Sequence, residues 1–304
     1  MSTPSTATPG NLIGIALMLI AMAVMPFLDV VAKVLGQQGL PIIQIVWARM
    51  ALACLLTLPF ALKVVGPAGV LPRRPVFHTF RAAFLISATF CFFLALRTLS
   101  IADALAIFFV QPLIVTSLSP LVLGEHVGPR RWAAVATGFV GTLIIIRPGF
   151  QELDVGVFLA LGSGTSLACY MLMTRRISGQ SHAAVTTFQT NLIGAAIASL
   201  MVMFVWQVPT LQQWGLFVLL GVFASVGHFF IVRAYDHSEA SLLAPFAYSE
   251  IIMATVLGWW FFADFPDAWT FVGVGILIAS AIYISFREHV RNVPTASSHD
   301  QPRL

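Results

Sequence analysis

Charge is what this chain has least of: Asp, Glu, Lys and Arg make up 9% of its 304 residues, against 59% hydrophobic residues and a mean hydropathy of +0.92. A soluble domain carries roughly 25% charged residues, so this composition reads as an integral membrane protein. Cysteine is scarce too. Cys54, Cys91 and Cys169 stand singly inside apolar runs, without metal-ligand spacing, and read as small hydrophobes. There is no cluster of acids of the kind magnesium-dependent membrane transferases need, and no GxxxxGK loop to hold ATP. No metal or cofactor is therefore expected. The net charge of +4 is spread singly or in pairs at the ends of apolar runs, which argues against a nucleic-acid surface. The first ten residues contain no Lys or Arg, and the run that follows is too long for a signal-peptide core, so it reads as an uncleaved first span.

What is present is a series of apolar segments of about 20 residues, the length a helix needs to cross about 30 Å of hydrocarbon. Cutting at charges, prolines and polar loops predicts ten spans: Leu12 to Leu35, Ile42 to Leu62, His78 to Leu99, Ala102 to Leu123, Trp132 to Ile146, Val155 to Met173, Ala183 to Trp206, Trp214 to Val232, Ala240 to Ala263 and Trp269 to Phe286. The fifth is short and is expected to borrow Pro129 to Arg131. The tail from Val290 is polar and expected to be disordered. The basic residues favour both termini on the cytoplasmic side, and Trp206 and Trp214 flank one outer loop as interfacial aromatics.

The stretch Phe92 to Leu123 can be laid without gaps on Ile231 to Phe262, which puts Gln111 on Glu250 and, continued, Glu125 on Asp264. Two repeats of five spans each, an odd number, must sit inverted, and inverted repeats place a substrate site at mid-membrane between the halves. The predicted fold is therefore all-α, ten transmembrane helices as two inverted five-helix repeats, 11–148 and 154–288, with 289–304 as the tail.

Glu250 lies near the middle of the ninth span, ASLLAPFAYSEIIMATVLGWWFFA, five residues after a helix-breaking proline, Pro245. An intramembrane acid marks a functional site by default: it could load and release a proton or pair with a cationic substrate, or stay hydrogen-bonded to a neighbouring helix. Asp29 and Lys33 share a face of the first span, and Arg49 lies at matching depth in the second, about 10 Å below the outer surface at 1.5 Å per residue. These three form either a structural ion-pair network or a gate. His228 is a proton relay, a substrate contact or a satisfied core histidine, and Gln189 and Asn191 bind substrate or glue helices together. Phe108, Phe109, Phe246, Tyr248 and Tyr170 wall a ligand or simply pack. The cluster Gly162, Ser163, Gly164, Thr165, Ser166 reads as a close-packing face.

The ten spans as five plus five, the segment ALRTLSIADALAIFFVQPLIVTSLSPLVLGEHVGPRRWAAVATGFVGTLIIIRPG and its weaker second copy ending FFADFPDAWTFVGVGILIASAIYI resemble the EamA family of the drug/metabolite transporter superfamily. Gly124 and Glu125, followed by Trp132 and Gly138, carry the family pattern, from which Ala263 and Asp264 depart in the second copy. Asp29 with Lys33, the segment WAR around Arg49 and APFAYSEI around Glu250 are similar to members of the S-adenosylmethionine and riboflavin uptake type. The resemblance implies a secondary transporter of the cell inner membrane, not an enzyme. Its partners would be a small polar metabolite and the lipid bilayer, with proton coupling and a homodimer left open. The rivals are an exporter of amino acids or opines and, from another class, an intramembrane enzyme.

Overall fold

A computed structural model describes residues 9–124, 128–148, 154–177, 182–237, 243 and 246–292. These residues are helical almost throughout. The helices are α1 Pro9–Gln37, α2 Ile42–Gly69, α3 Pro75–Ala95, α4 Ile101–Phe108, α5 Gln111–Leu123, α6 Pro129–Ile146, α7 Val155–Arg176, α8 Ala183–Val202, α9 Leu211–His237, α10 Glu250–Phe262 and α11 Ala268–Asn292. Seven helical segments are long and apolar enough to cross a membrane, with α4 and α5 counted together, and three shorter apolar ones bring the total to ten. Pro245, Glu125 and the tail beyond Asn292 lie outside the described residues. The last helix runs on to Asn292, past the point where a disordered tail was expected.

Local chemistry sets the helix ends. Pro75 and Pro129 open α3 and α6 at positions where a missing N–H costs nothing, so the fifth span does begin at Pro129. Ser100 caps α4 by accepting from the Asp103 N–H at 3.0 Å. The α5 helix ends on Gly124, in the left-handed conformation glycine tolerates.

The fourth span is broken. Phe109 and Val110 interrupt it between α4 and α5, and Pro112, which has no N–H, cannot satisfy the Phe108 carbonyl. Gly164 of α7 packs against that carbonyl; a Cβ there would stand 2.7 Å from the oxygen. Ser163 Oγ donates to the Ala88 carbonyl at 2.7 Å, and Ser166 and Ser87 hydroxyls pair at 3.2 Å. The small-residue cluster of α7 thus packs closely on two neighbours, as helices in lipid must when no hydrophobic force draws them together.

Numbering the spans in chain order, with α4 and α5 as the fourth and α10 in the ninth, the helix pairs fall into a pattern. The first packs on the eighth and the third on the sixth; the second on the eighth and the third on the seventh; the first on the ninth and the fourth on the sixth. The remaining pairs across the halves are second with seventh, fourth with ninth, fifth with tenth and, more lightly, fourth with tenth. Exchanging the halves maps every pair but the last onto a pair of the same set. Outward-facing residues such as Leu121 and Trp260 are exposed and apolar, the exterior a bilayer requires.

Candidate functional site

The ninth span repeats the break of the fourth. Ser249 N bonds Phe246 O at 3.1 Å and Ile251 N bonds Tyr248 O at 3.2 Å, three-residue spacings that tighten the chain just before α10. The fourth span tightens in the same way, with Val110 N on Ile107 O and Leu113 N on Val110 O. In each case a polar residue starts the second half: Gln111 opens α5 and Glu250 opens α10. The two breaks meet. Phe109 and Tyr248, one the register equivalent of the other, stack with centroids 4.7 Å apart. That contact takes the ring of Tyr248, which is 4% exposed. Phe108 packs edge-on against Phe92 at 5.2 Å, and Phe246 joins a separate apolar cluster with Met18 and Leu243.

Around Glu250 the bundle gathers the other charges that matter. Asp29 of α1 lies within electrostatic range of both Glu250 and Arg49, and Arg49 of both His228 and Tyr170. None of these pairs is in direct ion-pair contact. Arg49 is anchored by donating to Thr89 Oγ1 of α3. Neither carboxylate has a hydrogen-bond partner among the described residues, while Glu250, Arg49 and His228 are only half-buried. His228 spends Nδ1 on its own helix, on the Ala224 carbonyl at 2.9 Å, which leaves Nε2 for another partner. Gln111 donates to the Met171 sulfur, a weak acceptor that a better one can replace.

Lys33 does not join this cluster. Its ammonium donates to Asp264 Oδ2 at 2.7 Å and to the Leu99 carbonyl at 3.0 Å, and stands 4.8 Å above the Phe262 ring. The expected pairing with Asp29 fails because a long aliphatic stem carries the charge towards the nearest wet end of its helix. The latch it makes ties α1 to the chain just past the end of α10, and both residues line a cavity of about 450 Å³ with Gln37, Arg97 and Ser100. On the same rim Asp154 accepts from Thr98 Oγ1 and from the Gly156 N–H, both at 2.5 Å, which holds its carboxyl below the usual range. Arg147 pairs with Asp267 nearby.

Two of the expected site residues stand apart. Gln189 gives its amide to the Val70 carbonyl at the end of α2, at 3.0 Å. Asn191 is half-buried and makes no hydrogen bond to the cluster. Conversely, composition and spacing pass over Arg81, which reads as one of many basic residues near a helix start. It is the largest fully buried side chain among the described residues. Its position six residues inside α3, beyond the first helical turn, is the signal that could have marked it.

The EamA-like transporter family model matches residues 12–147 and 154–286, nearly the whole chain in two copies. The chain is similar to a riboflavin transporter of Rhizobium johnstonii, 27% identical, covering 94% of this chain and 93% of that one. It is similar to an S-adenosylmethionine uptake transporter of Rickettsia prowazekii, 23% identical over 90% of this chain and 93% of the other. A pseudopaline exporter of Pseudomonas aeruginosa is 28% identical, with 81% and 87% covered. A solved protein crystal structure at 16% identity superposes with a TM-score of 0.65, covering 94% of this chain and 100% of that one, which bears on fold alone. The doubled family match, together with ten apolar helices, makes this a multi-pass membrane protein, and the chain belongs to the EamA-like transporter family.

Proposed function

We propose that the chain is a secondary transporter of the cytoplasmic membrane, moving a small polar metabolite by alternating access between two inverted five-helix repeats. The solute is amino-acid-like or cationic, in the manner of S-adenosylmethionine. The observation that carries this reading is the meeting of two broken helices, with Gln111 and Glu250 opening their second halves. Broken helices at mid-membrane free backbone groups and helix ends for a solute, and a repeat interface can rock around them. The set of helix pairs that survives exchange of the halves supports the inverted arrangement. With both termini cytoplasmic, the Lys33 and Asp264 latch belongs to the outer side and acts as the gate there.

The charge balance suggests how coupling works. With both ionised, Asp29 and Glu250 would set two negative charges against the one positive charge of Arg49, so either a proton or a solute cation completes the balance. Loading one displaces the other. His228, with Nε2 uncommitted, is placed to relay the proton.

The test is counterflow in proteoliposomes, using riboflavin, S-adenosylmethionine, basic amino acids and an opine as labelled solutes. Preloaded unlabelled solute is expected to speed entry of label for one of these classes. Glu250→Gln is expected to abolish accumulation driven by a pH gradient while keeping part of the exchange. Full gradient-driven accumulation by that variant would remove Glu250 from the coupling role. Growth on the solute against resistance to its excess then separates uptake from export.

A further inference from the structure

Arg81 has no role in the site as described, and its surroundings are unusual for a buried cation. It is 0% exposed, yet no carboxylate among the described residues lies within ion-pair distance. All its acceptors are neutral: the Thr186 carbonyl at 3.0 Å, Thr190 Oγ1 at 2.5 Å, Thr174 Oγ1 at 3.5 Å and His78 Nδ1 at 3.3 Å. Its Nε has no hydrogen-bond partner among the described residues. A guanidinium taken out of water without a counter-charge is costly, and its planar fork matches a carboxylate better than it matches scattered hydroxyls.

Packing does not demand a cation there. Continuing the register of the two repeats back along α3 and α9 places Arg81 on Leu220, which is also 0% exposed and belongs to the main apolar core. One half of the molecule fills this position with leucine. Arg81 is also in touch with the central cluster: its guanidinium lies 5.8 Å from the centre of the Tyr170 ring, and Tyr170 is within electrostatic range of Arg49 too. Along α3, Arg81 precedes Thr89, the anchor of Arg49, by eight residues, roughly 12 Å at 1.5 Å per residue.

We propose that Arg81, with Thr174, Thr190 and Tyr170, is a second binding subsite that takes the carboxylate of a solute whose cationic end is held at the level of Glu250. The inference rests on the carrier reading and narrows its substrate class to a molecule that carries both an amine and a carboxylate. The conformation seen here holds the seat shut. As α3, α7 and α8 part, the carboxylate oxygens replace the threonine hydroxyls and one of them gives Nε its missing acceptor.

The experiment is a thermal-shift titration of the purified full chain in detergent with ω-amino acids from 4-aminobutanoate to 8-aminooctanoate and the primary amide of each. The wild type is expected to prefer acid over amide by about tenfold in apparent affinity, the size of a charge-assisted pair of hydrogen bonds. Arg81→Gln is expected to bring that ratio close to one while leaving the dependence on the amine. Arg81→Lys, which keeps the charge and loses the fork, should retain a weaker preference and serves if Arg81→Gln does not fold. Equal shifts for acid and amide on the wild type, zero included, overturn the proposal. Counterflow that proceeds for these compounds without acid–amide discrimination sinks the Arg81 subsite and leaves the carrier standing. Absence of counterflow for these compounds and for every solute of the preceding section sinks the carrier reading itself.

Discussion

The two broken spans are near copies in backbone and opposites in chemistry. The helices α5 and α10 each have 13 residues, and each ends on a left-handed residue, Gly124 at φ 69° and Ala263 at φ 56°. Where the first opens on Gln111, a neutral amide lodged against Met171, the second opens on Glu250, an acid with no hydrogen-bond partner among the described residues and with Asp29 in range. The same contrast separates Arg81 from Leu220. Duplicated backbone supplies a symmetric frame, and single substitutions then give each half its own charge. A site between such halves can distinguish the two ends of an asymmetric solute.

The comparison is broken most severely by exchanging the two polar residues. The double variant Gln111→Glu with Glu250→Gln is expected to lose at least about tenfold in gradient-driven accumulation, because Asp29 lies within electrostatic range of Glu250 and the exchange moves the acid away from that setting. Recovery to the wild-type rate in the proteoliposome assay would mean that the seats are interchangeable. Next in size is the crossing of the fifth and tenth spans, where a Cβ on Gly273 would run into Ile145 and stand 2.6 Å from the Gly141 carbonyl. Gly273→Val is expected to cost about 1–3 kcal/mol, read as a lowered unfolding midpoint in detergent. Gly275→Ala, with nothing within 4 Å, should leave the midpoint within error.

Smaller again is the latch. Asp264 is 37% exposed in its side chain, so the ion pair is screened and worth about 1 kcal/mol or less. Asp264→Asn is expected to speed modification of a cysteine placed at Ser100 by a few-fold, as the end of α10 leaves α1 more often; an unchanged labelling rate would show that the latch does not gate. The smallest effect is a gain. Ala263→Gly, which gives the second half the cap residue of the first, relieves a left-handed alanine and should raise stability by about 1 kcal/mol or less.

The sequence by itself determined the membrane class and the ten apolar segments, because lipid thickness and hydropathy act on local chain composition, and it offered a register between the two repeats. That register also placed Gln111 and Glu250 as equivalents, and the equal lengths of α5 and α10 agree with it. The fourth span, in contrast, was read as one unbroken segment, Ala102 to Leu123, and its break at Phe109 and Val110 came from the structure. Tertiary structure alone decided the partners. Lys33 finds Asp264 at a separation of 231 residues, and Arg81 is enclosed by threonines 93 and 109 residues away. A long side chain can turn its charge towards either end of a helix, and only the neighbours packed around it settle which. For the same reason Gln189, polar and deep in a span, could not be told from a ligand-binding amide until the end of α2 was seen to rest on it.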